Sequence, residues 1–362
     1  MTEYRPLHGG QINRIAERFG IPRSELLDFS ANINPEGLPA TVVSCLREAV
    51  NNPSIISNYP DLEELELRGR LAVYAGVRAE NIVVANGFVP LLKAALRVLE
   101  VRTCLVPVPA FVEYRRTLER CRIEMIPHPV EPGSGFSCGA GDWLKESCDT
   151  ILLANPQNPS GALSCRDELL WITEQARKRN IFIFLDEAFI DYSPETSVAQ
   201  EIDLFANLIV FRSVTKFYGM AGLRVAYAVA NKELSELIQE SIAPWPVTSL
   251  ASLAAGLVVQ DEAYARQTIA LNKVRRDQMR PAIEKLGIHV YPSAANFLLL
   301  RLHDSVDCQE FWERLIRNHH IVLRHCGNYE GLGGQFLRMA VRTDTENERL
   351  IEALAREVAN EL

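Results

Sequence analysis

The sequence predicts an α/β protein whose large domain contains a mostly parallel β-sheet and is followed by a smaller α+β domain. Through the middle of the chain, short and nearly continuous apolar runs alternate with amphipathic helical stretches, as in sheets covered by helices on both faces. After residue 260 the pattern changes to a long helical stretch and then to short strands. With 362 residues and 48% hydrophobic composition, the chain is long enough to form one large or two modest cores.

Six apolar runs are predicted as strands that are buried on both faces, because they lack the polar alternation of half-exposed strands. They are NIVVAN (81–86), TCLVPVP (103–109), TILLANP (150–156), IFIFLDE (181–187), LIVFRS (208–213) and RVAYAVA (224–230). Amphipathic stretches such as DELLWITEQARKRN (167–180) predict the helices that cover the sheet. We therefore assign residues 1–40 to an N-terminal arm and residues 41–260 to the large domain.

Residues 261–362 are predicted as a small domain with an antiparallel-leaning sheet. A helical stretch near 261–286 is followed by the apolar segments GIHVYP, NFLLLRL, IVLRHC and QFLRMAV, by a helix near 307–319, and by a final helix in ENERLIEALAREV. The glycine-rich stretch EPGSGFSCGAG (131–141) lacks G-x-G-x-x-G spacing after a strand. We interpret it as a surface connection and not as a dinucleotide site.

Composition disfavours several classes of function. A net charge of −8 argues against nucleic acid or an anionic membrane as partner. The first twenty residues lack an apolar signal core and no segment approaches the length of a membrane span, which predicts a cytoplasmic protein. The eight cysteines form no C-x-x-C pair and the histidines form no H-x-x-x-H pair, so no disulfide framework and no metal site are predicted.

Polar residues follow four of the predicted strands at their carboxyl ends, where open parallel sheets bind ligands. The pairs are Asn86-Gly87, Asn155-Pro156, Asp186-Glu187 and Arg212-Ser213. A charged Asp186 at a buried strand end needs a partner, although a helix cap or a surface turn would also explain it. Lys216 also lies near a strand end, and the two residues together indicate one pocket.

Three motifs resemble the signatures of the fold type I pyridoxal-phosphate aminotransferases, in that family's order and spacing. They are NPQNPSG (155–161), DEAF (186–189) and SVTKFYGMAGLR (213–224). NYPD (58–61), NG (86–87) and FLRMAVR (336–342) also fall where that family has functional segments. The resemblance implies a fold type I pyridoxal-phosphate-dependent transferase, pyridoxal 5'-phosphate as cofactor, and a homodimer.

The resemblance also implies a role for each motif residue around the cofactor. Lys216 would form the Schiff base, which requires a primary amine. Asp186 would keep the pyridine nitrogen protonated so that the ring can accept electrons. Ser213 and Arg224 would hold the phosphate, together with backbone N–H groups that follow Gly87 at a helix start.

Four further residues are assigned to the cofactor by the same resemblance. Asn158 would reach the ring hydroxyl, and Phe111 would stack on the ring face unless it is ordinary core packing. Tyr59 would come from the second subunit of the dimer. Phe88 follows Gly87 at a position where relatives usually carry an acidic residue, so any contact from that acid is lost and only backbone contacts remain.

Within this family, further segments resemble the L-threonine-O-3-phosphate decarboxylases of cobalamin biosynthesis. They are LHGGQI (7–12), LLDFSANINPEG (26–37), DEAFID (186–191), VLRHCGNYEGL (322–332) and LRMAVRTDTENERLI (337–351). The resemblance implies decarboxylation of L-threonine O-3-phosphate, a small phosphorylated amino acid, to (R)-1-aminopropan-2-ol O-phosphate.

The decarboxylase resemblance implies a set of substrate contacts at the two ends of the chain. Arg338 would contact the substrate carboxylate, and Arg324 would bind the phosphate with His8, Gly9 and Asn32 from the arm. Asn158 is assigned to the substrate as well as to the cofactor. For His8 the alternative is a disordered residue of the chain end.

Two other functions remain open from the sequence. Histidinol-phosphate aminotransferases share the same core, but they usually carry a tyrosine where this chain has Phe189 and generally lack the HGG opening. A non-enzymatic aminotransferase-like module of a transcription regulator would need an added DNA-binding domain, and the chain is too short to supply one beyond the catalytic core.

Overall fold

Helices and strands alternate along most of the chain in the computed structural model, which describes residues 6–137, 139, 144 and 146–360. The helices are α1 (Ile12–Phe19), α2 (Ala40–Ala49), α3 (Ser54–Ser57), α4 (Leu65–Ala75), α5 (Phe88–Val98), α6 (Val112–Arg120), α7 (Arg166–Arg177), α8 (Lys232–Ser241), α9 (Ser249–Val258), α10 (Glu262–Glu284), α11 (Cys308–His319) and α12 (Asp344–Ala359). The strands are β1 (Leu27–Asp28), β2 (Ile82–Ala85), β3 (Thr103–Val108), β4 (Glu124–Pro129), β5 (Thr150–Ala154), β6 (Phe182–Asp186), β7 (Leu208–Ser213), β8 (Ala226–Val229), β9 (His289–Val290), β10 (Phe297–Arg301), β11 (Ile321–Val322), β12 (Arg324–His325) and β13 (Phe336–Ala340).

The larger sheet has seven strands in the order β2-β8-β7-β6-β5-β3-β4. β8 runs antiparallel to both of its neighbours, and the other neighbouring pairs are parallel. All six runs predicted as strands lie in this sheet, which confirms the mostly parallel α/β architecture. The edge strand β4 was not predicted, because its residues are half-exposed or exposed and form no continuous apolar run.

Helices cover both faces of the larger sheet, because successive residues of a buried strand point to opposite sides. Ile183 and Leu185 of β6 join a core formed with α2, α4, α7 and α9. Phe184, between them, joins the core on the other face with α5, α6 and α8. This two-sided burial explains why the strands read as unbroken apolar runs.

The smaller sheet is antiparallel, with the strand order β12-β13-β10-β9. Its core contains residues of α11 and α12 and also Ile15 and Phe29 from the first forty residues. β1 pairs in parallel with β11, so the N-terminal segment is attached to the C-terminal sheet. α10 contributes Ile269 to the core of the larger sheet and Met279 to that of the smaller one. The boundaries 1–40, 41–260 and 261–362 stay a prediction.

The stretch predicted as a surface connection is only partly described, since residues 138, 140 and 141 lie outside the described residues. Its Phe136 is fully buried and packs against Tyr291 and Phe336, with which it forms a separate apolar cluster next to the smaller sheet. The connection is therefore anchored by one aromatic side chain.

Two features are absent from the described residues. None of their helices has both the length and the apolar character that crossing a bilayer requires. They also contain no group of three or more His, Cys, Asp or Glu side chains placed to hold a metal ion.

Candidate active site

A cavity of about 280 Å³ lies where the strands of the larger sheet end and the smaller sheet begins. Ala154 and Asp186 reach it from the last positions of β5 and β6, and Lys216 follows β7. Among the predicted site residues, those that line this cavity are His8, Gly9, Asn32, Phe88, Phe111, Asn158, Asp186, Lys216, Arg324 and Arg338. The N-terminal arm and both sheets therefore contribute to one site.

Lys216 lies in a tightly held loop after β7. Its backbone carbonyl accepts a hydrogen bond from Asn34 N at 3.0 Å. Gly219 has a φ of 62°, and a Cβ there would lie 2.6 Å from Gly37 Cα, so the close approach of the arm requires glycine. Lys216 Nζ lies 3.4 Å from Ser213 Oγ.

The surroundings of Lys216 favour its neutral amine. Burial lowers the pKa of Lys216 and the nearby positive charge of Arg224 lowers it further, whereas the carboxylate of Asp186 opposes this shift. A neutral amine is the form that attacks a carbonyl carbon. The neutral amine of Lys216 therefore forms at lower pH than that of an exposed lysine.

Asp186 is buried, with 8% of its surface exposed, which excludes the surface-turn interpretation. Tyr114 donates its hydroxyl hydrogen to Asp186 Oδ2 at 2.6 Å, and Ala188 N donates to Oδ1 at 2.9 Å. Burial raises the pKa of Asp186, while these hydrogen bonds and the charge of Lys216 act in the opposite direction. The carboxyl group is therefore held in one orientation beside the cavity.

Gly87, Ser213 and Arg224 do not line the cavity itself but lie next to it. Gly87 precedes α5 with a φ of 90°, and a Cβ on it would lie 2.7 Å from Arg224 Nη2. A side chain at position 87 would fill the space between the guanidinium group and the start of the helix. An arginine beside free N–H groups of a helix start suits a phosphate, so this cradle fits the predicted pyridoxal 5'-phosphate.

Arg324 and Arg338 lie directly opposite each other on β12 and β13 and both face the cavity. They are almost completely buried, with 1% and 5% of their surface exposed. Like charges directly opposite on neighbouring strands are destabilising. The pair therefore indicates that this end of the cavity binds an anion.

The two guanidinium groups have different partners. Arg338 Nη1 donates to Asn158 Oδ1 at 2.5 Å and to the Tyr329 hydroxyl at 3.2 Å, and its Nη2 donates to Ser30 O at 3.2 Å. The terminal nitrogens of Arg324 donate to the carbonyls of Pro6, Leu7 and His325 and to Asn328 Oδ1. Arg324 thus holds the N-terminal arm in place.

The arm residues are ordered against the cavity. His8 Nε2 lies 2.9 Å from Glu113 Oε1 on α6. A Cβ on Gly9 would lie 1.9 Å from Ser30 O, so the arm can pass here only with a glycine. Asn32 is buried, and its Oδ1 has no hydrogen-bond partner among the described residues. An unpaired buried amide oxygen is costly unless a ligand satisfies it.

Tyr59 is the predicted site residue that the single chain leaves away from the cavity. It is 79% exposed and stacks on Trp245 with ring centroids 4.4 Å apart. Its predicted contact would have to be made with the cofactor of another subunit.

Sequence reasoning missed three residues of the site: Tyr114, Tyr329 and Ser30. Tyr114 follows Phe111 by three positions, a spacing that places both on one side of a helical turn. Tyr329 and Ser30 lie inside segments that resemble the decarboxylases, but their contacts with Arg338 cannot be read from the motifs. Only the three-dimensional arrangement shows this.

Comparison with known proteins identifies the family. Residues 24–354 match the family model of aminotransferase class I and II. A threonine-phosphate decarboxylase of Salmonella typhimurium is 34% identical over 98% of this chain and 97% of its own length. The crystal structure of L-threonine-O-3-phosphate decarboxylase from Porphyromonas gingivalis has a TM-score of 0.79 at 25% identity, over 91% of this chain and 99% of that one.

A histidinol-phosphate aminotransferase is similar as well. The crystal structure of that enzyme from Clostridium acetobutylicum has a TM-score of 0.86 at 27% identity, over 92% of this chain and 100% of that one. Both structures cover more than nine-tenths of this chain. The chain belongs to the aminotransferase class I and II family.

Proposed function

We propose that the protein is a pyridoxal 5'-phosphate-dependent decarboxylase that converts L-threonine O-3-phosphate to (R)-1-aminopropan-2-ol O-phosphate for cobalamin biosynthesis. The observation that carries the proposal is the buried pair Arg324 and Arg338, which faces the same cavity as Lys216. A substrate with both a carboxylate and a phosphate uses two such cations. The similarity to the Salmonella typhimurium threonine-phosphate decarboxylase supports the same assignment.

The residues of the larger sheet would hold the cofactor. When bound, the cofactor supplies a pyridinium ring that accepts the electron pair released at the substrate α-carbon. Asp186 would hold the proton at the ring nitrogen, and Lys216 Nζ would bind the cofactor and later carry a proton. Gly87, Ser213 and Arg224 would bind its phosphate, while Asn158 and Phe111 would orient the ring.

The residues of the smaller sheet and the arm would orient the substrate. Arg338 would bind the carboxylate, with its guanidinium fixed by Ser30 O and Tyr329. The substrate phosphate, with about two negative charges, would meet Arg324, His8 and Asn32. To bind it through the terminal nitrogens, Arg324 would exchange the carbonyls of Pro6 and Leu7 for phosphate oxygens. Contacts at both the carboxylate and the phosphate fix the orientation of the substrate, and this orientation decides which bond at the α-carbon breaks.

We further propose a cytoplasmic homodimer. None of the seven described cysteines forms a disulfide, which suits a reducing compartment. Tyr59 and Trp245 form an exposed aromatic pair, and a second subunit covering it would bring Tyr59 to a neighbouring cofactor.

The decisive experiment is incubation of the cofactor-loaded protein with L-threonine O-3-phosphate. We expect release of carbon dioxide with stoichiometric aminopropanol phosphate, and no product from the Lys216→Ala variant. Formation of a 2-oxo acid instead, or turnover of histidinol phosphate with 2-oxoglutarate, would identify an aminotransferase and contradict the proposal.

The phosphate contact has its own test in Arg324→Lys, which keeps the charge but loses the planar fork. We expect the dissociation constant of phosphothreonine to rise by about one to two powers of ten, because a charge-assisted hydrogen bond contributes about 1.5–3 kcal/mol. Binding of unphosphorylated threonine should change little, and Arg301→Lys on the exposed end of β10 is the control. Equal weakening of both ligands would place Arg324 outside the phosphate site.

The shared site can be tested with hybrid dimers. A Tyr59→Phe subunit mixed with a Lys216→Ala subunit should form one site with neither substitution, so that activity exceeds that of either parent. If folded hybrid dimers show no such gain, Tyr59 does not act across subunits.

A further inference from the structure

Tyr114 contacts two residues that are assigned to different roles around the cofactor, Asp186 at the ring nitrogen and Phe111 at the ring face. Its hydroxyl donates to Asp186 Oδ2 at 2.6 Å, and its ring contacts that of Phe111 edge-on, at 5.7 Å between centroids and 88° between planes. Phe88 packs on it from a further side at 5.7 Å. The tyrosine is 1% exposed and does not line the cavity itself.

The direction of the hydrogen bond is fixed by the surroundings. Burial raises the pKa of Tyr114 well above its usual value, and the charge of Asp186 adds to this shift. The phenol therefore stays protonated and donates. Since Ala188 N occupies the other oxygen, Asp186 has both of its carboxyl oxygens bound to protein donors. A buried carboxylate with two fixed donors cannot rotate freely.

We propose that Tyr114 is a positioning residue that acts on the cofactor through two other residues. Its hydroxyl sets the orientation of the Asp186 carboxylate, and its ring supports the Phe111 ring. This inference rests on the proposed function, because Asp186 and Phe111 are assigned to the cofactor there. Phe111 directly precedes α6 and Tyr114 lies in its first turn, so the start of one helix delivers both groups.

The expected effect of Tyr114→Phe follows from what the substitution removes. The ring contacts with Phe111 and Phe88 remain, while Asp186 Oδ2 loses its donor in a buried position. A carboxylate with fewer donors has a higher pKa and competes with the ring nitrogen for the proton. We expect the affinity for pyridoxal 5'-phosphate to fall about tenfold, the scale of one charge-assisted hydrogen bond.

The test is equilibrium dialysis of pyridoxal 5'-phosphate against the cofactor-free wild-type protein and the Tyr114→Phe variant. Tyr227→Phe is the matched control, because Tyr227 is also fully buried and its hydroxyl has no hydrogen-bond partner among the described residues. Thermal unfolding of the cofactor-free variants checks that each is folded. Cofactor labelled with ¹⁵N then reports protonation of the ring nitrogen by NMR, and Tyr114→Phe should reduce it.

The Asp186→Asn variant distinguishes a positioning role of Tyr114 from a general contribution of Tyr114 to packing. In Asp186→Asn, the substitution Tyr114→Phe should have almost no additional effect on cofactor affinity, since its effect passes through the carboxylate. Wild-type affinity in Tyr114→Phe, or an undiminished loss in the Asp186→Asn background, would overturn the inference. If the wild-type protein itself bound no pyridoxal 5'-phosphate, the proposed function would fail and the role of Tyr114 with it.

Discussion

Arg212 is the residue that organises the buried charges behind the candidate site. Its Nη2 lies 2.6 Å from Asp191 Oδ1, and its Nε lies 3.8 Å from Glu187 Oε2. Tyr74 donates a further hydrogen bond to Asp191 at 2.7 Å. Glu187 follows Asp186 in the chain and Arg212 precedes Ser213, so this ion-pair network fixes the ends of β6 and β7 from behind the cavity.

We predict that Arg212→Met lowers the free energy of unfolding by about 3–5 kcal/mol, because it leaves two buried carboxylates without their cation. Arg78→Met is the control, since its ion pairs with Glu80 and Asp203 are exposed and contribute at most about 1 kcal/mol. Denaturant titrations of the cofactor-free variants compare the two. A loss at Arg212 no greater than that at Arg78 would show that the buried network is dispensable.

A second prediction at this scale concerns the amine of Lys216. Because the charge of Asp186 raises the pKa of Lys216 and burial lowers it, Asp186→Asn should lower this pKa further. Lys216 of the wild-type protein should therefore become reactive at a lower pH than an ordinary lysine. In the Asp186→Asn variant it should become reactive at a still lower pH. Competitive acetylation of the cofactor-free protein, read at each lysine by peptide mapping, measures both midpoints; an upward shift in Asp186→Asn would contradict the prediction.

At the scale of elements, the sequence predicted six of the seven strands of the larger sheet and missed its edge strand β4 and the two-residue strand β1. The β5 to β7 runs were recognisable because both of their faces are buried. β4 lies at an edge and mixes exposed with half-buried positions, and β1 has only two residues, so neither leaves a periodic apolar signal. Their positions depend on pairing partners far away in the chain.

Motifs predicted the cavity residues better than the contacts between them. Asp186, Lys216 and Arg338 meet as the resemblance implies, although their roles stay predictions. The hydrogen bond between Tyr114 on α6 and Asp186 at the end of β6 joins residues that are far apart in the sequence, so no local pattern encodes it. The predicted contact of Tyr59 with a second subunit stays a prediction, since one chain cannot show a contact between subunits.

The N-terminal arm allows a prediction about substrate binding without a change in any charged group. In Gly9→Ala the new Cβ would collide with Ser30 O, so this part of the arm must move and displace His8 and Gly9 from the lining of the cavity. We expect phosphothreonine binding to weaken at least tenfold, on the scale of losing one charge-assisted contact, with unchanged affinity for pyridoxal 5'-phosphate. Titration calorimetry with each ligand distinguishes the two effects.

The control for this substitution is Gly133→Ala, where a Cβ meets no atom within 4 Å. It should leave both affinities unchanged. Equal phosphothreonine affinity in Gly9→Ala and the wild type would mean that the arm does not contribute to the phosphate site.

At the scale of the whole molecule, the cavity is assembled from parts that are far apart in the sequence. Lys216 and Asp186 belong to the larger sheet, Arg324 and Arg338 to the smaller one, and His8 to the arm. α10 and the β1–β11 pair connect these parts. Because the two sheets pack in separate cores, and the arm packs in that of the smaller sheet, substitutions that shift one sheet against the other should impair the site without unfolding either core.

The antiparallel strand β8 has a consequence for the kinetics of folding. β2 pairs with β8, so Ile82 meets Val229 across a long loop of intervening chain. Closing long loops is entropically unfavourable, and pairings distant in sequence form slowly. Gly87 follows β2 and Arg224 precedes β8, so the phosphate cradle exists only after this pairing has formed.

We therefore predict that refolding chains acquire the ability to capture pyridoxal 5'-phosphate after most of the sheet is protected. Pulsed hydrogen exchange during refolding should protect amides of β5 and β6 before those of β2 and β8. Cofactor capture, followed by its absorbance after rapid mixing, should coincide with the later group. Cofactor capture as early as the protection of the β5 and β6 amides would contradict this order. If the predicted order holds, a nascent chain stays without cofactor until residues beyond 229 have been synthesised. Supply of the cofactor therefore could not assist the earlier steps of folding.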